Sequence, residues 1–99
     1  RAKKISGPEA LRIGLVGEVW PIEELFERAH ALARELAGMP TIAVAGMLRC
    51  IVGAVDKPLA EGIAEERRAV LATMGTADQR EGIQAFLEKR RPRFNQGGE

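Results

Sequence analysis

The chain has 99 residues, 45% hydrophobic and 29% charged, a composition that excludes a disordered polar chain and a membrane-spanning one and leaves room for one small domain or part of one. Lys plus Arg (15) against Asp plus Glu (14) gives a net charge of +1, so no general attraction to nucleic acid or to an anionic membrane is expected, and any basic patch must be local. A single cysteine, Cys50, cannot form an internal disulfide and fits a reducing cytoplasm.

The chain opens Arg1-Ala2-Lys3-Lys4, with no Met and no apolar leader, the start expected of a piece of a longer protein. Ser6-Gly7-Pro8-Glu9 has capping-box spacing with Pro in the first turn, so a short helix is predicted from there to Gly14. Leu15-Val16-Gly17-Glu18-Val19-Trp20 then reads as a brief extended segment, the one credible strand, halted by Pro21.

Beyond Pro21 the apolar period changes. Ile22, Leu25, Phe26, Ala29, Leu32, Ala33 and Leu36 recur at three and four residues, with Glu23 and Glu24 placed to complement the N-terminal dipole, which predicts an amphipathic helix ending at Gly38. From Pro40 to Val55 the only charge is Arg49. One stripe (Ile42, Ala45, Leu48, Ile51, Val52, Val55) and a second of small residues (Ala43, Gly46, Cys50, Gly53, Ala54) predict a helix with two neighbours. The preceding helix is one candidate, and a partner subunit or absent protein is needed for the other face.

Pro58 starts a third long helix, outlined by Leu59, Ile63, Val70, Leu71 and Met74, whose middle, Glu65-Glu66-Arg67-Arg68, should face water. Gly75 breaks it, Thr76-Ala77-Asp78-Gln79 caps the next, and a final helix bearing Ile83, Phe86 and Leu87 runs toward Lys89-Arg90-Arg91 and Pro92. The fold class is therefore all-α, four to five helices with one short extended segment.

Candidates for chemistry are few. His30 and Ser6 are the sole residues of their types; Ser6 is occupied as a cap and His30 borders an apolar stripe, so no hydrolytic triad can be built. Cys50 has no spaced partner for metal or nucleophilic work. Glu61, Glu65 and Glu66 share a helix with Arg67 and Arg68 and lack the apolar surroundings a carboxyl acid requires. No phosphate loop is present. The remaining feature is Lys89, Arg90, Arg91 and Arg93 beside Phe94, which suits an anion with a stacking group, or equally a helix C-terminus complemented by cations.

Ile5-Ser6 with EALRIGLVGEVWP, and later TADQREGIQAFLEKRRPRF, make the chain similar to the C-terminal region of the enoyl-CoA hydratase/isomerase (crotonase) family, with Asp78 to Arg90 the most specific part. The resemblance implies that residues 1–20 end the connection from a spiral domain, 21–94 form the C-terminal helical region and 95–99 a frayed tail. It implies an acyl-CoA thioester as substrate with no separate cofactor and no metal, self-association as a trimer or a hexamer, and neither a nucleic-acid nor a membrane partner. No position here matches the family's catalytic glutamates or oxyanion loops, so no catalytic residue is expected and the chain by itself should be inactive. Lys89 matches the final-helix lysine that reaches the CoA nucleotide end, commonly from a neighbouring subunit. Val70 falls where some hydratases carry a phenylalanine near the CoA adenine, and it offers no stacking face. Met74-Gly75, Ala77 and Gly17 also depart from the family pattern. A freestanding helical homo-association module with a basic anion-binding C-terminus is the alternative. A nucleic-acid tail formed by KRRPRF is a third reading, opposed by the balanced charge.

Overall fold

A computed structural model describes residues 2–97. Among them there are five α-helices, one 3-10 turn and no strand. The chain forms two compact units that meet in sequence between Arg34 and Glu35.

In the first unit, α1 (Gly7–Arg12) begins where the Ser6 hydroxyl accepts the Glu9 N–H at 3.3 Å, and Glu9 pairs with Arg12 through two bonds of 2.6 and 2.7 Å. It ends in a Schellman arrangement: Leu15 N–H donates to the Ala10 carbonyl (2.9 Å) and Gly14 N–H to Leu11 (3.1 Å), with Gly14 at φ +76. That left-handed turn carries a steric penalty for any residue with a Cβ, which is why glycine stands there. Val19 then returns against Gly7, where an added Cβ would lie 3.0 Å from Val19 Cγ1. Leu15–Trp20 is irregular rather than a strand, since no neighbouring backbone among the described residues supplies a ladder.

Helix α2 (Ile22–Ala37) starts on the Pro21 carbonyl, which accepts the N–H groups of Glu24 and Leu25, both at 3.0 Å. Trp20 is held at its foot, with its indole N–H donating to Glu18 at 2.7 Å and the Arg28 guanidinium 4.1 Å above the ring. None of the residues of α2 is buried, so its apolar stripe lies open.

In the second unit, α3 (Thr41–Gly53) passes through the 3-10 turn Ala54–Asp56 into α4 (Leu59–Thr73), and the two form a hairpin. The small-residue stripe explains its closeness: a Cβ on Gly46 would sit 3.3 Å from Ala69 Cβ. Within this unit the near neighbour of α3 is thus the helix that follows it, because Gly46 of α3 faces Ala69 of α4. The second neighbour expected for α3 is not supplied within this unit: Ile42, Met47, Leu48, Ile51 and Val52 are exposed. No single helix among the described residues is long and apolar enough to cross a membrane.

Gly75, at φ +75, turns the chain out of α4. The Thr76 hydroxyl accepts the Gln79 N–H (3.1 Å), and the Gln79 side chain accepts the Gly75 N–H (2.6 Å), so the predicted cap opens α5 (Ala77–Leu87) with reciprocal bonds.

Candidate functional site

The basic cluster lies on a strap that leaves α5, and local backbone chemistry sets its first bend. Arg90 N–H donates to the Ala85 carbonyl (3.0 Å) and Lys89 N–H to Phe86 (3.2 Å), the same two-bond ending as α1. Here the left-handed position belongs to Lys89, at φ +54. A lysine in that region is strained by about 1–3 kcal/mol, a departure that clusters at functional positions. The sequence places Lys89 in the final helix; it stands two residues past the last helical residue, Leu87, because the Schellman turn closes the helix first.

Arg90 is fully engaged. Its guanidinium donates two bonds to Glu81 (2.6 and 3.0 Å) and one to Glu88 (2.5 Å), and Arg93 N–H donates to Glu81 at 2.8 Å. The Glu81 carboxyl therefore drops from its ordinary 4.5 to about 2, through the Arg90 side chain first and the Arg93 amide second. Arg90 is raised by the same two carboxylates. Lys89 and Arg91 are exposed and enter no ion pair among the described residues. Glu81, Arg90, Arg91, Arg93 and Gln96 line an open groove of about 810 Å³.

Because the folded-state carboxyl is the more acidic one, its contribution is complete above pH 4.5 and lost as the pH falls toward 2. The Arg93 amide proton should therefore change chemical shift in an acid titration only below about pH 4, and Glu81→Gln should abolish that titration. A midpoint near 4.5 in the parent chain would contradict the pairing.

The far end of the strap is held by Asn95, at φ +59. Its Nδ2 donates to the carbonyls of Met39 (2.9 Å) and Ala37 (3.4 Å), its Oδ1 accepts the hydroxyl and N–H of Thr41 (2.9 and 3.2 Å), and its own N–H donates to Asp78 Oδ1 (2.8 Å). Phe94 lies on Gly82, 3.6 Å from where a Cβ would be, and helps to close a cavity of about 350 Å³ with Pro40, Ile42 and Ile83. Asn95, the first residue of the tail expected to fray, thus meets donors and acceptors left open between α2 and α3; Gly98 and Glu99 lie outside the described residues.

The other candidates separate from this strap. Val70 is half exposed on an apolar groove of about 630 Å³ between α3 and α4, with Met47, Ile51 and Ile63, and shares no cavity with Lys89 among the described residues. Cys50, half-buried, borders the same groove. Glu65 is bonded to Lys57, which holds its carboxyl below the ordinary range, the opposite of what an acid catalyst needs. His30 packs edge-on against Phe26 with ring centroids 5.2 Å apart. No group of three metal-ligating side chains occurs among the described residues. Sequence reasoning missed Glu81, nine residues from its partner Arg90, and Asn95. The one available signal was an Asn after Phe94, since Asn tolerates the left-handed region.

The family model for enoyl-CoA hydratase/isomerase matches residues 1–97. The chain belongs to this family. Among curated relatives, a probable mitochondrial enoyl-CoA hydratase of Dictyostelium discoideum is 38% identical over 92% of this chain, and a probable enoyl-CoA hydratase of Rhodobacter capsulatus is 39% identical over 94% of it. The match covers 33% and 36% of those two proteins, so the chain spans about a third of their length. A crystal structure of an enoyl-CoA hydratase subunit from Geobacillus kaustophilus superposes with a TM-score of 0.86 at 40% identity, over 94% of this chain and 36% of that one. One from Bacillus anthracis gives 0.86 at 35% identity, over 94% and 36%. The enoyl-CoA hydratase/isomerase helices thus have the arrangement seen here in solved members.

Proposed function

We propose that this chain is the C-terminal part of an acyl-CoA enzyme, one that hydrates a 2-enoyl-CoA or runs related enolate chemistry such as isomerisation or dehydration. Its share of the work is subunit assembly and part of the CoA site; no catalytic group is assigned to it. The supporting observation is the family match along residues 1–97 against relatives about three times as long. A freestanding homo-association module is the weaker reading, since the relatives named above carry these helices inside longer chains.

Lys89 is the residue assigned to the CoA nucleotide end, from across a subunit interface. Its side chain is exposed and enters no ion pair among the described residues, and phosphate oxygens form strong charge-assisted bonds with such a donor. Val70 offers an apolar contact toward the adenine with no stacking face. The open stripes of α2 and α3 suit burial against the rest of the enzyme and neighbouring subunits, as a trimer or hexamer. The substrate is a thioester of coenzyme A, and no separate cofactor is required. Relatives include mitochondrial and bacterial proteins; for this chain the half-buried single thiol suits the cytoplasm.

In the enzyme containing this chain, Lys89→Ala is expected to raise KM for the acyl-CoA about tenfold, within the ~1–3 kcal/mol of a charged hydrogen bond, with kcat little changed. Lys89→Gly should raise KM equally while gaining about 1 kcal/mol of stability from relief of the left-handed strain. An unchanged KM in both variants removes Lys89 from the site.

A further inference from the structure

The strap from Glu88 to Asn95 is tied at both ends, and the two ties differ in kind. At its start, Arg90 and the Arg93 amide converge on Glu81 of α5. At its finish, the Asn95 amide bridges the end of α2 to the start of α3, taking the Thr41 N–H and hydroxyl on Oδ1 and giving Nδ2 to the Ala37 and Met39 carbonyls. The Thr41 N–H and the Ala37 carbonyl are backbone groups that helix ends leave without internal partners. The Asn95 N–H also reaches Asp78, in the first turn of α5. One residue thereby ties three helix termini, two through its side chain and one through its backbone N–H, to a strap whose Lys89, Arg91 and Arg93 side chains enter no ion pair among the described residues.

From this geometry we propose that Asn95 is a positioning residue: it locks the strap so that the Lys89 and Arg91 cations are presented in a preset direction to the phosphate groups of the acyl-CoA. The proposal rests on the assignment of Lys89 to that ligand made above. Asn is suited to the task on two counts. It tolerates the left-handed backbone at φ +59, and its amide offers a donor and an acceptor on adjacent atoms, which aspartate cannot. A strap without the clamp reaches the bound orientation only as one of many, and the lost preorganisation weakens binding without touching the chemical step.

The test is a double-mutant cycle in the full-length enzyme, with kcat and KM for an acyl-CoA as readouts. Asn95→Asp keeps the shape and the Thr41 bonds but turns an anionic oxygen toward the carbonyls of Ala37 and Met39. It is expected to raise KM about fivefold with kcat within about twofold of the parent. In a Lys89→Ala/Arg91→Ala background the same change should alter KM by less than about twofold, because neither of the two cations remains to be positioned. Asn95→Gly keeps the left-handed backbone and removes the clamp; it is expected to behave as Asn95→Asp does, and it replaces that variant should the latter not fold. Equal KM effects with and without the Lys89 and Arg91 side chains overturn the proposal, since Asn95 then acts on the fold in general. A parent-like KM in Asn95→Gly also overturns it, by showing that backbone conformation alone sets the strap. Failure of the underlying Lys89 assignment is distinguishable, for it appears as an unchanged KM in Lys89→Ala with Asn95 intact.

Discussion

Replacing Gly46 with leucine is expected to force α3 and α4 apart and to destabilise the protein by about 2–3 kcal/mol, the upper range for overfilling a packed contact. A Cβ at this position already falls 3.3 Å from Ala69 Cβ, with the Ala69 backbone 3.9 to 4.0 Å away. Further side-chain atoms can be accommodated only by moving a helix. For a unit of this size the loss corresponds to a fall in melting temperature of roughly 10–20 °C, measured by circular dichroism. Two glycine controls separate packing from backbone entropy. Gly46→Ala combines a slight overlap with a gain of up to ~1 kcal/mol in helix propensity and should be close to neutral. Gly62, on α4, has nothing within 4 Å of an added Cβ, so Gly62→Ala should stabilise by about 0.5–1 kcal/mol. A Gly46→Leu variant that melts with the parent would show that the α3–α4 contact is not close-packed.

The second large effect concerns the 99-residue chain by itself, which is expected to self-associate and bind a hydrophobic dye, and to show no hydration of 2-enoyl-CoA. Ala10 and Ala85 are the buried hydrophobic residues among those described, while Ile22, Phe26 and Phe86 are 82%, 78% and 82% exposed. Fully burying each large side chain would contribute about 1.5–3 kcal/mol. Leaving them in water forgoes the term that must offset roughly 1–2 kcal/mol of backbone ordering per residue. Sedimentation velocity at rising concentration, with dye fluorescence in parallel, measures this directly. A single monomeric species with a sharp, cooperative melt at high concentration would contradict it, and enzyme-like hydration by the purified chain would overturn the proposal that catalysis lies outside these residues.

Local structure was legible wherever a residue acts on neighbours within one helical turn. Ser6 and Thr76 cap the helices they were read to cap, Gly14 and Gly75 take the left-handed turns that end α1 and α4, and the three-four spacing from Ile22 to Leu36 lies along one continuous helix. The family resemblance was legible too, because EALRIGLVGEVWP and DQREGIQAFLEKR are contiguous strings. Lys89 could be singled out from its string, but not its left-handed backbone, which depends on where the Schellman turn closes.

What the sequence by itself determined, then, is the number of helices, most of their ends, and the apolar faces that want a cover. Only the tertiary structure decided that α3 takes α4 as its close neighbour, that Arg90 belongs to Glu81 nine residues back, and that Asn95 reaches Thr41 across 54 residues. The physical reason is one of range. Caps, breaks and periodicity are set by atoms a few bonds or one turn apart, whereas a partner that many residues away is chosen by the path of the whole chain, which no local spacing encodes.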